Sequence, residues 1–249
     1  VLTIGKFFPA AQVGFYTKAK DFQRFSVHQL AGAIGMVAFP VLSKLQNNKK
    51  QLVNTIRKFL QHTMFFIVPL LLTLIVVAEP MVILLLKEKW ASMIPYLQLL
   101  SVAGLLYPLH LINVQTLNSQ GKSNLNFRLE IVKNSLRVMN ILIMYRFGVF
   151  FIILGEVFLS FIALIINTYY THRLINYGIL KQLSDIRLII ISGLIASAIS
   201  FLIIFQLNNL WLSLVIGGFV PIILYLALQF LLNKKFLLEI FELKNIIVK

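Results

Sequence analysis

Apolar runs of about 20 residues recur along this chain and constrain its fold more than any other feature. Each run is long enough to cross the ~30 Å hydrocarbon core of a bilayer as a helix. The runs are continuous rather than alternating, which predicts helices and not the strands of a barrel. Since 59% of the 249 residues are hydrophobic, a water-soluble fold would expose too much apolar surface. We therefore predict an all-α, polytopic transmembrane helix bundle.

About seven spans are predicted, and they divide the chain into three regions. The spans fall at residues 23–43, 59–78, 93–117, 126–147, 149–171, 187–207 and 211–232. Residues 1–22 form a lead-in on the outer side, residues 23–232 hold the spans, and residues 233–249 form a cytoplasmic amphipathic tail. The apolar side chains of this tail fall near one helical face, which predicts a helix on the membrane surface. Four prolines within the spans predict kinks, which neighbouring helices make tolerable: Pro40, Pro69, Pro108 and Pro221.

The distribution of Lys and Arg predicts the orientation. Most of the 23 basic residues lie on the side that contains the loop 43–58 and the C-terminal tail. Cytoplasmic loops are enriched in Lys and Arg, so this side is predicted to be the cytoplasm, with a cytoplasmic C-terminus. The chain opens at Val1 without Met and without a signal peptide. We therefore expect residues 1–249 to be a single bundle, the C-terminal part of a protein whose N-terminal helix bundle is missing.

Several function classes are excluded by what the sequence lacks. The net charge of +15 does not predict a nucleic-acid partner, because the basic residues lie between apolar runs and form no patch. There is no Cys, no GxxxxGK phosphate loop, no Asp-x-Asp pair and no zinc-like His cluster. We therefore expect no catalytic residues, no cofactor and no bound metal.

Four phrases in the first half of the chain resemble a known family. Residues 14–19 read Gly-Phe-Tyr-Thr-Lys-Ala, and residues 39–46 read Phe-Pro-Val-Leu-Ser-Lys-Leu-Gln. Ala78-Glu79-Pro80 precedes an apolar stretch and Trp90, and Asn118 precedes Gly121-Lys122. In this order the phrases resemble polysaccharide flippases of the multidrug/oligosaccharidyl-lipid/polysaccharide exporter superfamily. From residue 123 on, only the hydropathy pattern agrees with it.

The resemblance implies a transporter with two helix bundles around a central cavity, commonly with fourteen spans. This chain would be the second bundle, in the bacterial inner membrane. The implied activity is the flipping of undecaprenyl-diphosphate-linked oligosaccharide units from the inner to the outer leaflet for surface polysaccharide such as lipopolysaccharide. The implied partners are the lipid-linked substrate, membrane lipids, the missing N-terminal bundle and the polysaccharide polymerase machinery.

Two other functions stay open at this point. The first is a membrane polymerase, ligase or acyltransferase of the same pathways, although the outer loops at 87–92, 146–148 and 208–210 are short for a catalytic site. The second is a multidrug cation antiporter of the same superfamily. A cation site would favour carboxylates in the spans, whereas this chain has more Arg and Lys there.

The span 126–147 carries the main candidate binding residues. Helical spacing puts its polar residues within about 120° of one face, and these are Asn126, Glu130, Lys133, Asn134, Arg137 and Asn140. Charged groups at membrane depth are costly unless they face a wet cavity. We therefore predict that Arg137, Lys133 and Asn140 line a cationic cavity for the diphosphate. The alternative is an amphipathic helix start whose basic side chains snorkel to the interface, with Glu130 paired to Lys133 or Asn134.

The first span adds a second stripe, because Lys20, Arg24 and His28 are spaced by four residues. Arg24 and His28 are predicted cavity residues, while Lys20 and Arg24 are alternatively interface anchors paired with Asp21. Glu156 is predicted to carry a coupling ion, with an interfacial position as the alternative. Two histidines, His62 and His110, are predicted to be packed and hydrogen-bonded, with proton transfer as the alternative. Asn113, Gln115 and Thr116 are predicted to join helices by side-chain hydrogen bonds, with a place in the cavity wall as the alternative.

The predicted orientation is tested by cysteine labelling. Because the chain has no Cys, the variant Asn48→Cys reports on the loop 43–58 alone. A membrane-impermeant maleimide is expected to label it only when it has access to the cytoplasmic side. Labelling from the outside would reverse the orientation.

Overall fold

The computed structural model describes residues 5, 7–234 and 236–238, without the side chains of residues 28–30 and 33. In this part of the chain the structure consists of helices and short connections, which confirms the predicted all-α class. The α-helices are α1 (Ala10–Lys44), α2 (Lys49–Val76), α3 (Ala78–Leu86), α4 (Ile94–Leu105), α5 (Tyr107–Ser119), α6 (Ser123–Met144), α7 (Val149–Ile175), α8 (Ile179–Phe205) and α9 (Leu210–Leu232). Two 3₁₀ segments, Glu88–Met93 and Tyr145–Phe147, complete the order.

Among the described residues, five helical segments are long and apolar enough to cross a membrane. They are α2, the segment Glu88–Ser119 that ends in α4 and α5, α7, α8 and α9. The remaining two predicted spans correspond to α1 and α6, which carry the polar stripes and are not among these five. Their crossing of the membrane stays a prediction.

Several helix boundaries differ from the predicted ones, and α2 begins at Lys49 rather than at residue 59 and α8 at Ile179 rather than at residue 187. Helix α1 begins at Ala10, so residues 10–22 of the predicted lead-in are helical. The short α3 occupies part of the predicted loop after residue 78. The span 93–117 divides into α4 and α5 at Leu106, because Pro108 has no N–H to continue the hydrogen bonds of α4. Pro40, Pro69 and Pro221 lie inside continuous helices.

Helix α2 lies at the centre of the bundle and contacts α1, α4, α5, α8 and α9. Its buried residues join both hydrophobic clusters of the core, one with α8 and α9 and the other with α1, α4 and α7. At Gly193 on α8 a Cβ would meet the side chain of Val68 at 2.6 Å. The missing side chain therefore lets α8 approach α2 closely.

The described start of the C-terminal tail packs against this centre. The ring of Phe236 lies 5.4 Å from His62 and 5.7 Å from Phe65, both on α2. Phe236 and Leu237 are buried. The rest of the predicted surface helix lies outside the described residues.

Buried amides join α5 to α8. Nδ2 of Asn113 donates to Oε1 of Gln182, and Nε2 of Gln182 donates to Oδ1 of Asn113, both at 2.9 Å. Both residues are fully buried. The pairing satisfies polar groups that would otherwise lack partners away from water, and it confirms the predicted helix–helix role of Asn113.

A tyrosine repairs the hydrogen-bond gap that Pro69 leaves in α2. Proline has no N–H, so the carbonyl of Phe65, four residues earlier, loses its helical donor. The hydroxyl of Tyr225 on α9 donates to this carbonyl at 3.0 Å. Tyr225 is 1% exposed, so water cannot take its place.

We expect Tyr225→Phe to lower the free energy of unfolding by about 1 kcal/mol, because the Phe65 carbonyl is then buried without a donor. In a Tyr225→Phe background, Pro69→Ala restores an N–H within α2 and should recover much of this loss. Chemical unfolding in detergent micelles measures both changes. The control Tyr169→Phe, at an exposed position, should leave stability unchanged. If Pro69→Ala is equally harmful with and without the Tyr225 hydroxyl, the proposed repair is wrong.

Candidate functional site

A cavity of about 500 Å³ opens between α1, α4, α5, α6 and α7. Its wall is apolar over a large part, with residues such as Leu100, Leu111 and Ile166. Six charged side chains reach it: Lys20, Arg24, Glu130, Lys133, Arg137 and Glu156. His110 and Ser160 add neutral polar groups.

Helix α6 supplies half of these charges because its sequence separates a polar face from an apolar one. Glu130, Lys133 and Arg137 follow one another at spacings of three and four residues and line the cavity. Apolar residues between them, such as Ile131 and Val132, are exposed on the other side of the helix. Because that outer surface suits lipid, the amphipathic pattern turns the charged stripe inward.

The cavity has an excess of positive charge. Four basic side chains line it against two carboxylates, so the charged groups differ by two positive charges when the imidazole is neutral. An apolar wall strengthens such charges by excluding water. The cavity is therefore suited to an anion with about two negative charges.

Both lysines of the four cations are held by polar partners. Lys133 is 7% exposed, and its ammonium forms an ion pair with Glu130 and donates to Oδ1 of Asn167 at 3.4 Å. Lys20 donates to the hydroxyl of Tyr16 at 2.8 Å, and this hydroxyl donates to Glu156 at 3.4 Å.

The two arginines are the cations left for a ligand. Both side chains are exposed. Arg137 donates to Oδ1 of Asn134 at 3.0 Å, and neither guanidinium forms an ion pair with a carboxylate among the described residues. A guanidinium stays charged when partly desolvated and binds two oxygens of a phosphate at once.

The structure brings together most of the residues predicted from the sequence. Arg137, Lys133, Arg24 and Glu156 line one cavity, although they come from three helices. The pairing of Glu130 with Lys133 is also present, and it was part of the alternative in which α6 is an amphipathic helix start. The side chain of His28 lies outside the described residues. That these groups bind substrate, or that Glu156 carries an ion, stays a prediction.

Asn140 is not among the residues that line the cavity. It is buried, and its Nδ2 donates to the carbonyl of Ile152 on α7 at 2.9 Å. A Cβ at Gly155 would overlap the Asn140 amide. Asn140 therefore holds α6 against α7 at a close crossing, which its place on the polar face of α6 does not reveal.

The sequence did not single out several residues that the fold adds to the site. His110, predicted to be packed and hydrogen-bonded, has a partner on each ring nitrogen and also lines the cavity. Ser160 lies one helical turn after Glu156, and Tyr16 lies one turn before Lys20. These one-turn spacings from charged residues were the available sequence signal that Ser160 and Tyr16 face the same site. The contact of Asn167 with Lys133 crosses between helices and leaves no such pattern.

Comparisons with known proteins agree with this architecture. Residues 1–95 match the family model described as "Polysaccharide biosynthesis protein". The chain is 25% identical, over 88% of its length, to the uncharacterized membrane protein MJ1068 of Methanocaldococcus jannaschii, and it covers 43% of that protein. It is 30% identical, over 57% of its length, to the lipopolysaccharide biosynthesis protein WzxC of Escherichia coli, and it covers 29% of that protein. The chain therefore spans less than half the length of these relatives.

The fold is also that of a solved transporter. The structure of the lipid II flippase MurJ in an inward closed conformation superposes with a TM-score of 0.77 at 14% identity. The match covers 94% of this chain and 50% of that one. With its apolar helices, the chain is a multi-pass membrane protein. The resemblance predicted from the sequence is confirmed: the chain is similar in sequence to proteins of polysaccharide biosynthesis, and its fold is that of a lipid II flippase.

Proposed function

We propose that this chain forms one bundle of a flippase that moves undecaprenyl-diphosphate-linked oligosaccharides from the inner to the outer leaflet of the bacterial inner membrane. The observation that carries the proposal is the cavity in which Arg24 and Arg137 form no ion pair among the described residues, while Lys133 is paired with Glu130 and Lys20 is hydrogen-bonded to Tyr16. A diphosphate bridge between a lipid and a sugar carries two negative charges, which equals the positive excess of the cavity.

The chemistry of each group supports this assignment. Arginine forks suit phosphate oxygens. The volume of about 500 Å³ lies within the usual range of small-ligand sites, so it accommodates the diphosphate and an adjoining sugar rather than the whole cargo. Because two carboxylates offset two of the four basic side chains, the cavity keeps a moderate charge, and a carrier needs moderate affinity in order to release its cargo.

The alternative functions are less well supported. A multidrug cation antiporter needs free carboxylates, but Glu130 is paired with Lys133, and the positive groups outnumber the negative ones. The polymerase, ligase and acyltransferase alternatives need a catalytic site, whereas the relatives and the cavity are those of a transporter. The proposal therefore includes transport without covalent chemistry, with the lipid-linked oligosaccharide and membrane lipids as partners, the polymerase machinery as a further partner, and a cytoplasmic C-terminus.

The test exchanges Arg137 in the protein at its full natural length. Arg137→Ala is expected to lower the flipping rate of lipid-linked oligosaccharide in proteoliposomes about tenfold or more, because a charge-assisted hydrogen bond to phosphate is lost. Arg137→Lys should keep part of the rate, since the charge remains but the fork does not. The amount of protein in the membrane should stay unchanged.

Arg128 provides a matched control. It lies on α6, nine residues before Arg137, hence on the opposite helical face, and does not line the cavity. Arg128→Ala should leave the flipping rate unchanged. Full activity of Arg137→Ala, or an equal loss with Arg128→Ala, would show that Arg137 only extends to the interface and would remove the basis of the proposal.

A further inference from the structure

A chain of side-chain hydrogen bonds leads from α6 to the wall of the cavity. In this chain, the donor and acceptor of each bond determine those of the next. Its first contact joins Nζ of Lys133 to Oδ1 of Asn167 at 3.4 Å. An ammonium group donates and cannot accept, so this contact identifies which end of the Asn167 amide is the oxygen. Asn167 is fully buried, and no water competes for this position.

The orientation of Asn167 determines the tautomer of His110. Nδ2 of Asn167 lies 3.3 Å from Nδ1 of His110. An amide nitrogen is only a donor, so Nδ1 must accept and carries no hydrogen. The hydrogen of the neutral ring is then on Nε2, which lies 3.0 Å from Oγ of Ser160. The imidazole therefore donates to the serine.

Ser160 receives this bond and keeps its own hydrogen to donate. In helices a hydroxyl commonly donates to the carbonyl four residues earlier, as Ser101 does at 2.7 Å and Thr168 at 2.8 Å. In the described part of the structure Ser160 has no such bond, and its only recorded partner is His110. Because Ser160 lines the cavity, its hydrogen is directed toward whatever the cavity holds.

We propose that Ser160 forms a second subsite of the cavity, in which its hydroxyl donates a hydrogen bond to an oxygen of the sugar adjoining the diphosphate. This inference rests on the proposed function. Lys133, at the start of this chain of contacts, is paired with Glu130, whereas Arg24 and Arg137 form no ion pair among the described residues. An uncharged donor suits a sugar oxygen, and the guanidinium groups suit the phosphates. His110 and Asn167 are positioning residues, since they act through Ser160.

The test compares two probes on the purified protein in nanodiscs, at its full natural length. The probes are undecaprenyl diphosphate and the lipid-linked oligosaccharide extracted from the cells that make the protein. Ser160→Ala should weaken binding of the oligosaccharide about two- to tenfold, the range of one uncharged hydrogen bond, and leave binding of undecaprenyl diphosphate unchanged. Ser160→Thr keeps the hydroxyl and should bind both probes as the native protein does.

A double-mutant cycle tests the role of His110. His110→Leu should weaken oligosaccharide binding about as much as Ser160→Ala does, and it should have no further effect in a Ser160→Ala background. His110→Gln supplies an amide donor near the position of Nε2 and should restore part of the binding. If His110 contributed to packing alone, His110→Leu would weaken binding in the Ser160→Ala background as well. Additive losses would therefore overturn the proposed positioning of Ser160 by His110.

The outcomes separate this inference from the function on which it rests. Equal weakening of both probes by Ser160→Ala, or no weakening of either, overturns the sugar subsite while the flippase proposal stands. If neither probe binds the native protein, the proposed function fails together with its subsite. Selective loss of the oligosaccharide with Ser160→Ala, together with loss of both probes in Arg137→Ala, supports both.

Discussion

The structure depends on one constraint: a polar group in the hydrocarbon core has no water to bind and must find its partner inside the bundle. The bundle meets this requirement with pairs between distant helices. The hydroxyl of Tyr225 donates to the backbone carbonyl that Pro69 leaves without a donor. The side-chain amides of Asn113 and Gln182 form hydrogen bonds with each other. These bonds are few, but each one specifies which helix faces lie together. Apolar packing does not specify this, because an apolar helix face resembles the surrounding lipid.

The cavity follows from the same constraint. Charged residues on α1 and α6 cannot face lipid without a large penalty, so they collect where α4, α5 and α7 leave space between them. Within this space, Glu130 balances the charge of Lys133, and the hydroxyl of Tyr16 joins Lys20 to Glu156 by hydrogen bonds. An excess of two positive charges remains, and Arg24 and Arg137 are the cations left for a ligand. This excess relates the fold to an anionic cargo.

The sequence predicts features that repeat along one helix, and it does not predict contacts between helices. Apolar runs identify the long helices, and the spacing of Glu130, Lys133 and Arg137 identifies the inward face of α6. The same spacing assigns Asn140 to this face, yet its partner is a carbonyl of α7. The contacts of His110 with Asn167 and Ser160 join residues about 50 positions apart. Helical periodicity has no information about such pairs, and the close approach at Gly155 becomes visible only in three dimensions.

The central position of α2 has a consequence for biogenesis. Residues 49–76 leave the ribosome before their packing partners α8 and α9, which follow more than 100 residues later. Until α9 enters the membrane, the carbonyl of Phe65 lacks the hydrogen bond from Tyr225, and one side of α2 faces lipid. During translation there is therefore a long interval in which α2 is inserted but does not yet contact α8 and α9. In this interval a membrane chaperone or a quality-control protease could recognise the nascent chain by its incompletely paired helix.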